Sequence, residues 1–470
     1  MVTSQPETGQ PPDGPPALRR CVAGDPEEFA SSYWGARALF SHATDLAAAP
    51  ELAAAPELTS AAGARTLPRL PELPTAADLH TATELASEPD LPSAGDAAQR
   101  PGGFSDLFSL DAADELLSRR GLRTPFLRIA KNGSVVGDGQ FTGPAGVGAE
   151  INDQIRDDKV AALFASGHTV VLQALHRTWP PLVDFATQLS AEAGHPVQIN
   201  AYITPAESQG FSAHYDVHDV FVLQVAGEKH WTVHEPVHVD PLRNQPWTDH
   251  SAAVAAAARD QAPVIDEVLR PGDALYVPRG FLHSARALGG VSAHLTVGLH
   301  TMTRFLLVEE LAALAANQVE LRAALPLGFD PGDPAQVAQQ LEKVAPLLVE
   351  QIRSASADEL AVRLRRRTWS GNRPAPLPPL AHATAIASLA IGTTVRLRAG
   401  LRYRLVQGDP VLLQLADRTI SLPAATSEAV AQLCSGDEIR LGDLPGLDEA
   451  DQLVLVRRLM TEAVVVASPQ

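Results

Sequence analysis

The sequence predicts a mostly β core with flanking helices, and three observations lead there. Between residues 197 and 300, short apolar segments alternate with Gly, Pro and Asp turns, the pattern of a sandwich or barrel. Residues 303–365 switch to helical spacing of apolar side chains. Residues 380–470 then mix short strands with two helical segments, Ser427–Leu433 and Asp448–Leu459. With 470 residues the chain has room for two or three such units, at roughly 150 residues each.

Taken in order, residues 1–17 are rich in Pro, Gly and Gln and are expected to be a disordered tail. Residues 18–43 predict an N-terminal helix, Arg19 to Phe40, opened by Pro26-Glu27-Glu28-Phe29 and joining the main body. Residues 44–103 form an Ala/Pro-rich insertion in which recurrent prolines exclude long helices. From Phe104 the pattern becomes globular. A helix capped by Ser109 or Asp111 runs to Arg119, and the strand Phe126–Ala130 leads into an Asn132-Gly133 hairpin turn. Val147–Ser166 reads as a helix, Thr169–Ala174 as a strand and 180–193 as a second helix. Leu306–Asn317 and Pro334–Ser354 are the helices expected after the β region.

Composition narrows the function. There are 37 Lys+Arg against 55 Asp+Glu, a formal charge of −18, which argues against nucleic acid as the primary ligand. The imbalance lies in the first 300 residues, and the last 170 are close to neutral. Two distant cysteines, Cys21 and Cys434, provide neither a disulfide framework nor a Cys-based zinc site. No apolar run approaches the roughly 18 residues that cross a bilayer, so the expected location is cytoplasmic. Only four of the 37 cations are lysines.

The chemistry concentrates in two segments. In His214-Tyr215-Asp216 a strand would place the imidazole and the carboxylate on one face, two-thirds of a facial triad for non-heme Fe(II). A second triplet, His238-Val239-Asp240, is bracketed by prolines and lacks strand geometry. The third ligand must come from a distant strand. Pro271-Gly272-Asp273 launches Leu275-Tyr276-Val277, and Pro278 and Gly280 bend the chain just before His283. The triad is therefore read as His214, Asp216 and His283.

With Asp219-Val-Phe-Val-Leu-Gln224 and Gly227-Glu-Lys229-His-Trp231 between them, these motifs resemble the JmjC-domain ribosomal oxygenases of the cupin superfamily. The resemblance is dense over 195–300. It implies a double-stranded β-helix (jelly-roll) catalytic domain over 104–302, a helical dimerisation region over 303–379 and a winged-helix-like domain over 380–470. It implies Fe(II) as cofactor and 2-oxoglutarate as co-substrate, in a dioxygenase that hydroxylates Arg or His of a basic ribosomal protein. Lys229 would then pair with the distal carboxylate of 2-oxoglutarate, a reading favoured over its alternative, a solvated cation in a tight Gly-Glu-Lys turn. Asn200 and Tyr202, spaced i and i+2, would hydrogen-bond co-substrate or substrate, or else form a polar pair at a strand edge. Thr296, with His294, would line the opposite wall; Trp231, Tyr276 and Phe281 read as core. The rivals are an RNA-directed oxygenase, a metal-dependent cupin isomerase or dioxygenase without 2-oxoglutarate, and a non-catalytic metal-binding module. The Arg363, Arg365, Arg366 and Arg367 cluster reads as a helix end rather than a nucleic-acid patch.

Overall fold

The computed structural model describes residues 17–46, 103–131, 133–148, 150–206, 208 and 212–468. The expected disordered tail and nearly all of the 44–103 insertion lie outside the described residues. A nine-stranded antiparallel sheet dominates the first 300 residues. Its strands are β1 (Leu39–Ser41), β2 (Leu127–Lys131), β3 (Ser134–Val135), β6 (Thr169–Leu172), β7 (Val197–Thr204), β8 (Asp219–His234), β9 (Ile265–Leu269), β10 (Ala274–Val277) and β11 (Leu282–Leu299). β4 (Thr142–Gly143) and β5 (Gln154–Ile155) form a separate pair. The spatial order is β1-β10-β8-β11-β7-β6-β2-β3, with β9 also on β8.

Two strands are much longer than the short ones expected here: β8 has 16 residues and β11 has 18. Each runs through both halves of the sheet. The first half of β8 pairs with β10, and its second half pairs with β9. β11 follows β8 throughout, with a register break between Leu288 and Ala293. Glycine is required at the bend: Gly227 has φ +61°, and a Cβ there would meet Val291 O at 2.2 Å. Buried Gln224 pins the bend by donating to Ala226 O, Gly227 O and Ser292 Oγ at 2.9, 3.1 and 3.0 Å. Two faces of one bent sheet can thus enclose a space between them. The apolar wall of that space is Val220, Val222, Trp231, Val233, Leu275 and Val277.

The largest buried cluster lies outside it. There the helices Leu110–Arg119 and Pro180–Ala193 pack Leu116, Leu182, Phe185 and Leu189 against Ile199, Phe221, Leu295 and Val297. Ser109 caps the first helix by accepting from Ala112 N at 3.1 Å, as expected. A third cluster, from Leu389 to Val465, belongs wholly to the C-terminal residues.

Two expected helices are shorter than predicted. Of Arg19–Phe40, only Pro26–Ser32 is α-helical, capped by Asp25. Gly35, with φ +66°, turns the chain, and Leu39–Ser41 extends to pair with β10. Edge pairing on the sheet has overridden local propensity. Of Val147–Ser166, only Asp157–Ala165 is helical; Gly148 has φ +126° and residues 154–155 pair with 142–143. Pro334–Ser354 is a 21-residue helix, followed by Ala357–Thr368. No described helix is long and apolar enough to cross a membrane.

Candidate active site

His214 and Asp216 do not sit on a regular strand. They lie in the irregular segment between β7 and β8, joined to the start of β11 by an isolated bridge, His214 to His283. His283 N donates to His214 O at 2.8 Å and His214 N to His283 O at 3.2 Å. Tyr215, between the two, is buried the other way against Val254, Ala257 and Leu282, and its hydroxyl donates to Gln245 O at 3.1 Å. That anchor turns residues 214 and 216 to a common side without a ladder.

The bend before His283 is held equally firmly. Gly280, with φ +87°, donates its N–H to Asp216 O at 3.0 Å, and a Cβ there would meet His238 O at 2.7 Å. Fully buried Asp219 accepts from Arg279 N at 2.8 Å and from Thr301 Oγ1 at 2.5 Å. One donor atom from each of His214, Asp216 and His283 lies within 4.8 Å of the others, and they form the one such cluster among the described residues.

The donor set fits a metal ion. His214 Nδ1 is 2.8 Å from Ser212 O and His283 Nδ1 is 3.2 Å from Phe281 O. A carbonyl only accepts, so Nδ1 carries the proton on both rings and Nε2 keeps its lone pair for a metal. His283 Nε2 is 3.7 Å from Asp216 Oδ2. Burial pulls the His283 imidazole down to about 4, with His214 adding to the effect. Burial alone would raise the Asp216 carboxyl, but His218, His283, His214 and Arg128 together hold it below its ordinary range. Near neutral pH the cluster therefore offers a neutral His283 and a charged carboxylate, the ligand-competent forms.

The triad opens onto a cavity between the two halves of the bent sheet. Lys229 stands in its wall, mid-strand on β8 and only 4% exposed, not in a solvated turn. Its Nζ donates to Thr204 Oγ1 at 3.3 Å and lies 3.4 Å from His294 Nδ1. Burial pulls its ammonium down to about 7. His294 stacks on Tyr202 at 5.1 Å between ring centroids and meets Trp231 edge-on at 5.3 Å. Tyr202 and Thr296 line the same cavity.

Asn200 is not brought to the cavity wall: its Oδ1 accepts from Ala174 N at 3.0 Å, tying β7 to the segment that follows β6. Trp231, expected to be core, packs in the core and also faces the cavity. Sequence reasoning missed Thr204, although it shares the i, i+2 face of Asn200 and Tyr202 and could have been found by parity. Asp240 stands apart, bonded to Arg279 Nη2 at 2.7 Å. The arginine cluster ends its helix as expected. Arg363 and Arg367 close onto Glu310 at 2.8 and 3.1 Å.

With this geometry in view, the family comparison is specific: the model of the JmjC domain matches residues 180–305. Strands β7, β8, β10 and β11 and the 214–216 segment lie within that stretch and line the cavity, which Thr169 of β6 completes from outside it. Among curated proteins, ribosomal oxygenase 1 of Rattus norvegicus is 36% identical over 216 residues, 43% of this chain and 35% of that protein. Ribosomal oxygenase 2 of Mus musculus is 33% identical over 175 residues, 35% of this chain and 36% of that one. The bifunctional lysine-specific demethylase and histidyl-hydroxylase NO66 of Drosophila simulans is 38% identical over 142 residues, 28% and 16% respectively. The chain thus spans about a third of the length of the first two relatives. Among solved structures, Escherichia coli ribosomal oxygenase YcfD aligns with a TM-score of 0.49 and 16% identity, covering 95% of this chain and 99% of that one.

Proposed function

We propose that this chain is an Fe(II)- and 2-oxoglutarate-dependent oxygenase that hydroxylates an Arg or His side chain of a basic ribosomal protein. The observation that carries this reading is the shared cavity: a two-His, one-carboxylate cluster and a buried lysine line one space. His214, Asp216 and His283 are the residues that would hold Fe(II), leaving the other positions to small ligands. Bound together, Fe(II) and 2-oxoglutarate supply an oxidant able to hydroxylate an unactivated C–H bond.

The protein's own part is placement and exclusion. Lys229 supplies a cation for a carboxylate, Tyr202 and Thr296 supply hydroxyls, Thr204 holds Lys229 from behind, and Val220, Val222, Val277 and Trp231 keep the wall apolar. The names of the relatives, ribosomal oxygenase and histidyl-hydroxylase, favour a ribosomal protein as the target. An acidic first 300 residues suits a cationic partner.

The domain reading belongs to the same proposal: a catalytic domain over 104–302, a dimerisation region over 303–379 and a winged-helix-like unit over 380–470. In support of a homodimer, the helices Phe305–Ala315 and Pro334–Ser354 expose Leu307, Val308, Leu341, Val349 and Ile352. A dimeric mass in solution is the expected result.

Incubation with ribosomal proteins, Fe(II) and 2-oxoglutarate tests the activity. A +16 Da product on a single Arg or His is expected. Modification of ribosomal RNA instead would support the RNA-directed rival, and no product on either would leave only a binding module.

A further inference from the structure

Lys229 is a buried cation with no anion beside it. Among the described residues its only polar partners are the Thr204 hydroxyl and the His294 ring nitrogen, and no carboxylate oxygen of those residues comes within 4 Å of its Nζ. The titratable and charged groups around it come from every neighbouring element. β7 presents Tyr202, with Arg128 of β2 approaching its hydroxyl at 3.5 Å. β11 presents His283 and His294, and the segment before β8 presents His214 and Asp216. β6 contributes only Thr169, while β9 sets Leu269 opposite Lys229 and carries exposed Glu267 two residues away. The one carboxylate that lines the cavity, Asp216, belongs to the triad. A permanently charged ammonium here would be desolvated and unpaired, an arrangement that costs several kcal/mol and is avoided by losing the proton.

Resting on the proposed 2-oxoglutarate reading, we propose that binding of the dicarboxylate is coupled to uptake of one proton by the Lys229–His294 pair, so that the cavity charges only when its ligand arrives. The proton comes from solvent and ends on Lys229 Nζ. The incoming distal carboxylate then completes the ion pair that the empty cavity lacks. His294 is the positioning residue: its Nδ1 accepts from Nζ, and the Tyr202 stack and the Trp231 edge hold the ring in place. Burial, with only neutral partners nearby, pulls the Lys229 ammonium down to about 7, which places the charging step inside the working pH range. His294 is held well below its ordinary value, first by burial and then by Lys229 and His283, so it serves as an acceptor and not as a second cation.

The test uses the full chain saturated with Mn(II), titrated with 2-oxoglutarate from pH 7 to pH 9 by calorimetry in HEPPS and in Tris, which both buffer there with different heats of ionisation. Affinity is expected to fall roughly 50-fold over that range, with binding heats that differ between buffers by close to one proton's ionisation at the upper end. Lys229→Arg keeps a permanent cation and the same metal ligands, so any pH dependence arising at the triad stays in both proteins and only the lysine's part disappears. His294→Phe is expected to move the break to lower pH, and His294→Asn, which retains an acceptor, to restore it. A flat affinity with buffer-independent heats in the wild type overturns the proton coupling while leaving the co-substrate reading intact. Absence of any 2-oxoglutarate binding by the metal-loaded chain overturns both.

Discussion

At the more exposed end of the cavity, two of the three triad residues hang from irregular backbone. His214 and Asp216 lie between two strands, and His283 follows a Pro-Gly bend. At the enclosed end, Lys229, His294 and Thr204 stand on the long strands of the sheet and are at most 4% exposed. The first end is ordered by backbone hydrogen bonds to loops, which fix ring orientation while leaving the donor atoms open. The second is ordered by the sheet itself, which fixes position at the cost of burying a lysine. A metal and an exchanging substrate need the open construction, whereas a co-substrate carboxylate needs a dry, fixed amine that takes up a proton as it binds. One domain meets both demands by running the same two strands, β8 and β11, past both ends.

Substitutions at the two ends should therefore separate. The largest effect is expected from His214→Ala, which removes one of three ligands. Co(II) affinity measured by titration should fall by more than about 100-fold, beyond the loss typical of an outer-shell change. Next is Lys229→Met: 2-oxoglutarate affinity should fall by about 10–100-fold, the worth of a charge-assisted hydrogen bond, with Co(II) affinity unchanged. A loss of both affinities would break the separation.

The same lysine variant should be more stable. Folded Lys229 holds its proton more weakly than its ordinary 10.5, so charging it opposes folding. That penalty is full below pH 7 and fades as pH climbs toward 10.5. The melting temperature of Lys229→Met should exceed that of the wild type most at or below pH 7, and the gap should close toward pH 10. Thr204→Val should weaken 2-oxoglutarate only a few-fold, in keeping with about 1 kcal/mol for a neutral hydrogen bond. The smallest effect belongs to Asn200→Ala. It should leave co-substrate affinity unchanged and cost about 1 kcal/mol of stability through the lost Ala174 contact.

How much of this was legible in the sequence follows the same division. The residue types and spacing of His214, Asp216 and His283 could be read because metal ligation demands particular side chains, whatever backbone carries them. The expected strand geometry was unnecessary, since Tyr215 and the His283 bridge perform the same alignment. Lys229 was read as an anchor, but its burial was not legible. Gly227-Glu228 looks like a turn in the sequence, and only pairing with β9 and β11 makes it the middle of a long bent strand. Asn200 and Thr204 are the reverse case. Parity puts both on one face of β7, but only tertiary contacts decide that one ties down Ala174 and the other reaches Lys229. The short N-terminal strand was hidden for a similar reason, because an edge strand of three residues carries little periodic signal.

Joint use of a metal and 2-oxoglutarate in one cavity is tested most directly by succinate formation. The purified chain with Fe(II), 2-oxoglutarate, oxygen and a ribosomal protein extract should release succinate well above the level given by His214→Ala. Equal succinate from the two proteins would contradict the account.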